Sequence, residues 1–281
     1  MPDEHILLSV AVPTDEAEFA ADVLWSSGAQ AVEERPSGAH VELVTDFGAH
    51  PLERWADIVA QHPAAARWNV QTFGVSAAVA DTWRDHARTT NVGDVRIVPA
   101  WQSIETGPRD IVIDPGGAFG MGDHPTTRAT LELALRLHGS NALDLGCGSG
   151  VLAIALAKFR AIRCVAVDIA PAAVEATQQN AALNGVAEMI VIEQGDVRSV
   201  RGTYDIVLAN ILAPVLLSDA ADIALRVMTG GMLVLSGFTT TRLNDIEAAY
   251  ETLGLTRTGL AEIDGWLALQ MQRVEENREI E

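Results

Sequence analysis

Hydrophobic positions in the first quarter of the chain alternate with polar ones in four short runs and recur at helical spacing in two others. Apolar residues with a period of two are typical of strands, and those with a period near 3.6 are typical of amphipathic helices. The runs predict strands at residues 6–12, 29–33, 41–45 and 67–73, with helices that begin at Pro13 and Pro51. The order β-α-β-β-α-β is that of a ferredoxin-like unit. We therefore predict a small ferredoxin-like α+β domain over residues 1–74.

The pattern weakens over residues 75–92, where we predict a linker with one short helical run at residues 80–88. Beyond it, strand-like and helix-like runs alternate over residues 93–281, which favours a Rossmann-like α/β sheet. The last two predicted strands, at residues 255–262 and 266–273, flank an Asp-Gly pair that is typical of a tight hairpin. We therefore expect the second domain to end in an antiparallel hairpin.

A glycine cluster, Gly146, Gly148 and Gly150, follows an apolar strand and precedes a helix-forming run at residues 151–159. Glycine permits a tight turn and a close approach of the backbone to a ligand. Asp168 closes the next predicted strand, at about the distance from the glycines at which a carboxylate accepts ribose hydroxyls. A glycine-rich turn without a ligand is the alternative interpretation.

The spacing of these glycines is one residue shorter than in a dinucleotide-binding fingerprint, and Asp144 lies two places before the first glycine. This combination resembles the first motif of the class I S-adenosylmethionine-dependent methyltransferases. The resemblance implies S-adenosyl-L-methionine as the cofactor, whose ammonium group suits a nearby carboxylate such as that of Asp144. In the same class an acid at the position of Asp196 commonly binds the adenine amino group, although an ordinary turn aspartate is the alternative.

A second irregular segment, residues 114–128, contains four glycines and two prolines and leads into a predicted helix that begins at Pro125. Loops on rigid scaffolds often carry ligand contacts, and His124 is a candidate base only through its place in this loop. Asn210 ends the predicted fourth strand, where it could orient a substrate amine or simply cap the next helix.

Composition and charge argue against a nucleic-acid-binding protein, a disulfide-rich or zinc-binding protein, and a membrane or secreted protein. The formal net charge is −19, from 38 acidic and 19 basic residues, which argues against a nucleic-acid-binding surface and is compatible with a basic protein as substrate. The two cysteines indicate neither a disulfide framework nor a zinc site, so we expect no metal. The N-terminus lacks a basic, apolar signal sequence and no apolar run reaches the ~20 residues of a membrane-spanning helix, so we expect a cytoplasmic protein.

The segment Asp-Pro-Gly…Ala-Phe-Gly-x-Gly-x-His-Pro-Thr-Thr at residues 114–127, the glycine motif and Ala-Asn-Ile-Leu-Ala at residues 209–213 together resemble the ribosomal protein methyltransferases called PrmA. That family methylates lysine and N-terminal amino groups of protein eleven of the large ribosomal subunit. The resemblance implies that the small domain grips this substrate. It also implies cofactor contacts, which would come from Thr127, Gly146, Asp168, Asn210, Phe119 and Gly148.

Two residues depart from the family's usual loop, because Met121 and Asp123 replace threonines. Two other functions remain open at this point. One is a protein-lysine methyltransferase with another target, such as an electron-transfer flavoprotein subunit, and the other is a binding module without catalysis. A separate ferredoxin-like domain favours the ribosomal target, and intact glycines with Asp168 and Asn210 favour catalysis. We expect a monomer that contacts neither nucleic acid nor membrane.

Overall fold

The structure is a computed structural model that describes residues 4–27, 29, 31–47, 51–76, 88–115 and 120–274. The chain divides into two compact units, Met1–Ala87 and Arg88–Glu281. Among the helices of the described ranges, none is long and apolar enough to cross a membrane.

The N-terminal unit has the predicted ferredoxin-like arrangement. Its elements are β1 (Glu4–Pro13), α1 (Ala17–Ser26), β2 (Ala31–Ser37), β3 (His40–Asp46), α2 (Pro51–Gln61) and β4 (Asn69–Ser76). All pairings are antiparallel and the strand order is β2-β3-β1-β4. The last strand begins two residues later than predicted, because Pro63–Arg67 forms a 3₁₀ turn that Pro63 opens.

One face of this small sheet carries the core of the unit. Leu8, Val10 and Val12 alternate inward along β1 and are fully buried with Leu24 of α1 and Ile58 of α2. Trp68 is 6% exposed, packs edge-on against Phe19 with ring centroids 5.9 Å apart, and donates its indole N–H to Glu16. Trp68 is thus a core residue of this unit.

The C-terminal unit begins with a three-stranded sheet, β5 (Thr90–Val92), β6 (Val95–Pro99) and β7 (Asp110–Ile113), in that order. β4 continues to Ser76 and Thr90–Val92 pairs with β6, so both ends of the segment predicted as a linker, residues 75–92, lie in strands. The short helical run predicted at residues 80–88 falls almost entirely outside the described residues.

The main sheet has seven strands and the order β10-β9-β8-β11-β12-β14-β13. The strands are β8 (Asn141–Leu145), β9 (Arg163–Asp168), β10 (Ile190–Gln194), β11 (Tyr204–Asn210), β12 (Val227–Thr239), β13 (Leu255–Ile263) and β14 (Trp266–Arg273). The first five are parallel, whereas β14 runs antiparallel to both of its neighbours. The predicted terminal hairpin is confirmed, and its turn residues Asp264 and Gly265 have the positive φ angles, 52° and 82°, of a type I′ turn.

Helices cover both faces of the sheet. They are α3 (Pro125–Ala134), α4 (Val151–Arg160), α5 (Pro171–Leu183), α6 (Ala213–Ser218), α7 (Ala220–Ala224) and α8 (Leu243–Glu251). One core cluster contains Ile154 of α4 with Leu208, and the other contains Leu143, Val207 and Tyr250. Because neighbouring residues of β11 point to opposite faces, both cores are anchored on the same central strand.

The adjacent glycines Gly230 and Gly231 lie within β12. The register of β11 against β12 shifts here, and a Cβ on Gly231 would lie 3.0 Å from the carbonyl oxygen of Tyr204. Gly231 therefore accommodates an irregularity in the ladder where a side chain would have no room, and Gly230 supplies the positive φ of 79° beside it.

Candidate active site

The glycine turn lies at the carboxyl end of β8, where it passes into α4. Gly146, Gly148 and Gly150 all have positive φ, and the backbone N–H groups of Gly146 and Cys147 both donate to the carbonyl of Val167, at 2.8 and 3.1 Å. A Cβ on Gly146 would lie 2.3 Å from Cγ2 of Ile211. Conformation and space both restrict this position to glycine. The two hydrogen bonds to Val167 hold the turn against the end of β9.

Asp168 is the last residue of β9 and lies beside this turn, as its position in the sequence predicts. Its Oδ2 accepts the N–H of Gly148 at 3.0 Å, and its Oδ1 accepts the N–H of Ala170 at 2.9 Å. A carboxylate offers about four acceptor positions, so two remain for a ribose diol. The two backbone bonds fix the orientation of the carboxylate before any ligand arrives.

Asp144 lies inside the protein, away from the open edge of the sheet. Its side chain is 1% exposed, and Oδ2 accepts the N–H of Ala153 in the first turn of α4 at 3.1 Å. Oδ1 has no hydrogen-bond partner within the described ranges. Burial raises the pKa of Asp144 to about 7, with a further contribution from the charge of Asp168. A direct contact with a ligand ammonium would require this oxygen to become accessible.

Asp196 follows β10 and organises its own turn. Oδ1 accepts the N–H groups of Arg198 and Ser199, and Oδ2 pairs with the Arg198 guanidinium at 3.1 Å. Burial alone would raise the pKa of Asp196, but these hydrogen bonds outweigh it and the pKa is lowered. Arg198 also pairs with Asp219 and Asp222, so the carboxylate is held by a network and stays ionised.

Asn210 and Thr127 form a hydrogen bond at the carboxyl end of β11. Asn210 ends β11, Thr127 is buried in the first turn of α3, and the Asn210 amide donates to Thr127 Oγ1 at 3.4 Å. Residues 83 positions apart in the sequence are thereby joined at one edge. The side chain of Asn210 is only half-buried, so it borders both the core and the open edge.

His124 caps α3. Its Nδ1 accepts the N–H of Thr126 at 3.3 Å and lies 2.7 Å from the hydroxyl of the same residue. The ring packs edge-on against Trp266, the first residue of β14, with centroids 5.1 Å apart. Burial lowers the pKa of His124, although the nearby Asp123 opposes the effect. The imidazole is therefore neutral at pH 7, with one nitrogen engaged at the helix terminus.

The structure brings Gly146, Gly148, Asp168 and Asn210 to one edge of the sheet, because the carboxyl ends of parallel strands lie side by side. The loop residue Phe119, a predicted cofactor contact, lies outside the described residues. No group of three or more His, Cys, Asp or Glu side chains suited to a metal ion occurs within the described part of the chain.

Two further residues at this edge were not predicted from the sequence. Ile169, directly after Asp168, is 73% exposed, which is unusual for an isoleucine, and it offers an apolar surface beside the glycine turn. Trp266 contacts His124 through the tip of the terminal hairpin. Ile169 could have been found from its place directly after Asp168, whereas nothing in the sequence links Trp266 to His124.

These groups fit an S-adenosyl nucleoside. Asp168 has free acceptor positions for a diol, Ile169 presents an apolar surface for a purine, and the partly exposed Asp196 is an acceptor for an exocyclic amine. Asn210 adds an amide on the side of α3. The end of β9 thus offers groups that match a ribose and a purine, and the end of the neighbouring β10 offers an acceptor that matches the amine of the purine.

The strand order, the antiparallel β14 and this edge define a class I S-adenosyl-L-methionine-dependent methyltransferase. The profile of the family described as "Ribosomal protein L11 methyltransferase (PrmA)" matches residues 53–274. The chain belongs to this family, as the motifs of the sequence indicated.

Individual relatives agree with this assignment. A ribosomal protein L11 methyltransferase of Myxococcus xanthus is 33% identical over 292 residues, which cover 97% of this chain and 100% of that protein. One from Geobacter metallireducens is 40% identical over 195 residues, which cover 68% of this chain but only 64% of that protein. A crystal structure described as a ribosomal protein L11 methylase from Lactobacillus delbrueckii subsp. bulgaricus matches with a TM-score of 0.61 and 29% identity, over 67% of this chain and 100% of that one.

Proposed function

We propose that this protein transfers methyl groups from S-adenosyl-L-methionine to amino groups of the large-subunit ribosomal protein L11, on lysine side chains and at the N-terminus. Membership of the family supports the substrate. The observation that carries the chemistry is the contact of Asn210 with Thr127, because it joins the two family-specific motifs beside the glycine turn. Methyl transfer needs a nucleophile and a methyl group held in line, and a side chain fixed at this edge, such as that of Asn210, is suited to holding one of them.

The bound cofactor supplies a methyl group that is already activated on a positively charged sulfur. The residues of the chain have the remaining tasks of binding, orientation and exclusion of water. We assign the ribose hydroxyls to Asp168, the adenine ring to Ile169 and its amino group to Asp196. Gly146 and Gly148 let the backbone approach, and Asp144 supports the turn from beneath, through its bond to α4.

We assign the substrate amine to Asn210, whose side chain can accept a hydrogen bond from it. A protonated amine has no lone pair with which to attack. Removal from water lowers the pKa of an amine and favours its neutral, reactive form. His124 stays a candidate for proton removal, but its place as the cap of α3 gives it a positioning role as well.

We assign substrate recognition to the ferredoxin-like unit, residues 1–74, and repositioning of this unit to the segment that follows it. The net charge of −19 is complementary to a basic ribosomal protein. We infer a cytoplasmic monomer that binds its substrate as a protein, without contacts to nucleic acid.

Intact-mass spectrometry of purified L11 tests the proposal. L11 is incubated with S-adenosyl-L-methionine and either the unmodified enzyme or its Asn210→Ala variant. We expect a series of added methyl masses with the unmodified enzyme and a strong reduction with the variant. An unchanged mass of L11, from an enzyme that binds the cofactor in a separate assay, would contradict L11 as the substrate.

A further inference from the structure

Asn180 lies in α5 and Asn184 directly follows the helix. The side chains of both residues form hydrogen bonds along β7 in the way that a neighbouring strand would. Asn184 accepts the N–H of Val112 at 2.9 Å and donates to its carbonyl at 2.7 Å. Asn180 accepts the N–H of Asp114 at 2.9 Å and donates to its carbonyl at 2.8 Å. Each side-chain amide thus pairs with both polar groups of one backbone residue, as a strand partner would.

The spacing explains why two asparagines suffice. Alternate residues of a strand direct their N–H and C=O groups to the same edge and lie roughly 6.6 Å apart. Residues four apart on a helix differ in height by about 6 Å, so Asn180 and Asn184 match Asp114 and Val112. The opposite edge of β7 already pairs with β6. The asparagines therefore close the edge that the sheet leaves open.

The two asparagines differ in their second donated bond. The Asn184 amide donates to the carbonyl of Asn180 at 2.8 Å, within the helix end, whereas the Asn180 amide donates to the carbonyl of Ser149 in the glycine turn, at 2.9 Å. One turn earlier on α5, Thr177 donates to the carbonyl of Gly148 at 2.9 Å. Two successive carbonyls of the glycine turn are therefore held by one face of α5.

Residues 114–124, which lead from β7 to α3, are called the motif loop here. Ser149 also binds this loop directly, because its hydroxyl donates to the carbonyl of Gly120. Asp114 and Gly120, on either side of residues 116–119, are thus both tied to Ser149, the first through Asn180 and the second directly. Asn180 and Ser149 are both fully buried, so these bonds are shielded from competing water.

We propose that Asn180, together with Ser149, is a positioning residue for the cofactor site. It holds the Asp114 and Gly120 ends of the motif loop against the glycine turn, and so sets the place of the Gly148 N–H and of the loop that leads to α3. Neither residue needs to touch the cofactor. The identity of the ligand rests on the proposed function, whereas the positioning role rests on these contacts.

Matched variants test the role. Asn180→Asp keeps the acceptor for the Asp114 N–H and removes both donated bonds, and Asn184→Asp makes the same change four residues away, with Lys158 close enough to pair with the new carboxylate. Binding of S-adenosylhomocysteine is measured by calorimetry, and the thermal midpoint of each variant is measured alongside. We expect both variants to melt earlier. We expect Asn180→Asp to raise the dissociation constant about 10- to 100-fold, the effect of losing two buried bonds, and Asn184→Asp to change it less than about threefold.

Ser149→Ala provides a second, milder variant, which removes only the bond to Gly120. We expect it to raise the dissociation constant about fivefold. If Asn180 and Ser149 hold the same loop, the double variant weakens binding by less than the product of the two single effects. Should Asn180→Asp not fold, Ser149→Ala decides the matter by itself.

The positioning role is overturned if Asn180→Asp and Ser149→Ala bind S-adenosylhomocysteine as tightly as the unmodified protein does, or if Asn184→Asp weakens binding as much as Asn180→Asp. Since binding is the readout, a failure of the unmodified protein to methylate L11 would contradict the proposed substrate. It would leave the comparison of variants to decide the positioning role.

Discussion

The backbone N–H of Gly148 donates to the carboxylate of Asp168 at 3.0 Å, so the glycine turn at the end of β8 and the acid at the end of β9 form one unit. In the sequence these residues are 20 positions apart, with α4 between them. The bond orients the carboxylate towards the open edge, and it explains why the glycines and the acid have to occur together. Preorganised groups of this kind lose little entropy when a ligand binds.

Asn210 is predicted to act on the chemical step. Asn210→Ala removes the side chain to which we assign the orientation of the amine, and misplacement of a reacting group by about 1 Å can lower a rate roughly 100-fold. We therefore expect kcat for L11 methylation to fall about 100-fold, with a smaller change in the affinity for S-adenosylhomocysteine. Thr127→Val removes the hydroxyl that Asn210 contacts, and a loss of about tenfold or less is expected. Equal kcat values for Asn210→Ala and the unmodified enzyme would exclude the assigned role.

His124 offers a test that separates positioning from proton removal. Asparagine caps helices well, so His124→Asn preserves the acceptor for the Thr126 N–H, whereas His124→Phe removes it. If capping is the main role, His124→Asn keeps methyl transfer within about threefold, and His124→Phe lowers the stability by about 1 kcal/mol. Both activity and chemical denaturation are measured. A folded, cofactor-binding His124→Asn protein without activity would instead identify His124 as a base.

We predict that the contribution of Asp144 to the free energy of unfolding falls as the pH rises. The pKa of Asp144 is raised to about 7 by burial, and in the unfolded chain it returns to about 4. Between about pH 4 and pH 7 the folded protein keeps a proton on Asp144 that the unfolded chain has released. The stability that this proton gives the folded state is therefore complete below about pH 4 and is lost as the pH rises through about 7.

The comparison of the unmodified protein with Asp144→Asn isolates this effect from other titrating groups. The advantage of the unmodified protein in thermal midpoint should be several degrees larger at pH 5 than at pH 8. A difference between the two proteins that does not vary with pH would show that Asp144 does not titrate in this range.

Ile169 is predicted to bind ligand without supporting the fold. Because its side chain is 73% exposed, Ile169→Ala should leave the thermal midpoint nearly unchanged. Loss of an apolar contact with a purine should raise the dissociation constant of S-adenosylhomocysteine about fivefold to tenfold. Leu183→Ala, at a leucine that is 58% exposed on α5, is the control and should have no effect on binding. Equal affinities of the two variants would argue against a contact between Ile169 and the ligand.

The parts that sequence patterns predicted well are those set by local chemistry. The spacing of Gly146 and Asp168 follows from a strand, a tight turn and a helix, each of which leaves a local signal. The hairpin at Asp264 and Gly265 was predictable for the same reason, since a type I′ turn requires two residues that accept positive φ. Even the ferredoxin-like order of the first unit follows from the period of its apolar residues.

The parts that were not predicted depend on contacts between distant segments. No periodicity indicates that Asn180 would bond with Asp114 or that Trp266 would pack on His124. The side chain of Asp144 lies in the core and accepts the Ala153 N–H of α4, a contact that the motif does not indicate, and its contact with a ligand ammonium stays a prediction. A sequence motif identifies the residues of such a turn but does not tell which of them face the ligand.

The measurement that tests the central claim most directly is calorimetric binding of S-adenosylhomocysteine to the unmodified protein and to Asp168→Ala. We predict one site per chain in the unmodified protein. Loss of two hydrogen bonds to the Asp168 carboxylate should raise the dissociation constant about 100-fold in the variant. Loss of its bonds to the Gly148 and Ala170 N–H groups should lower the thermal midpoint by a few degrees without unfolding the protein. Undiminished affinity in a folded Asp168→Ala protein would contradict the account, since the ligand would then not lie at the edge formed by Gly148 and Asp168.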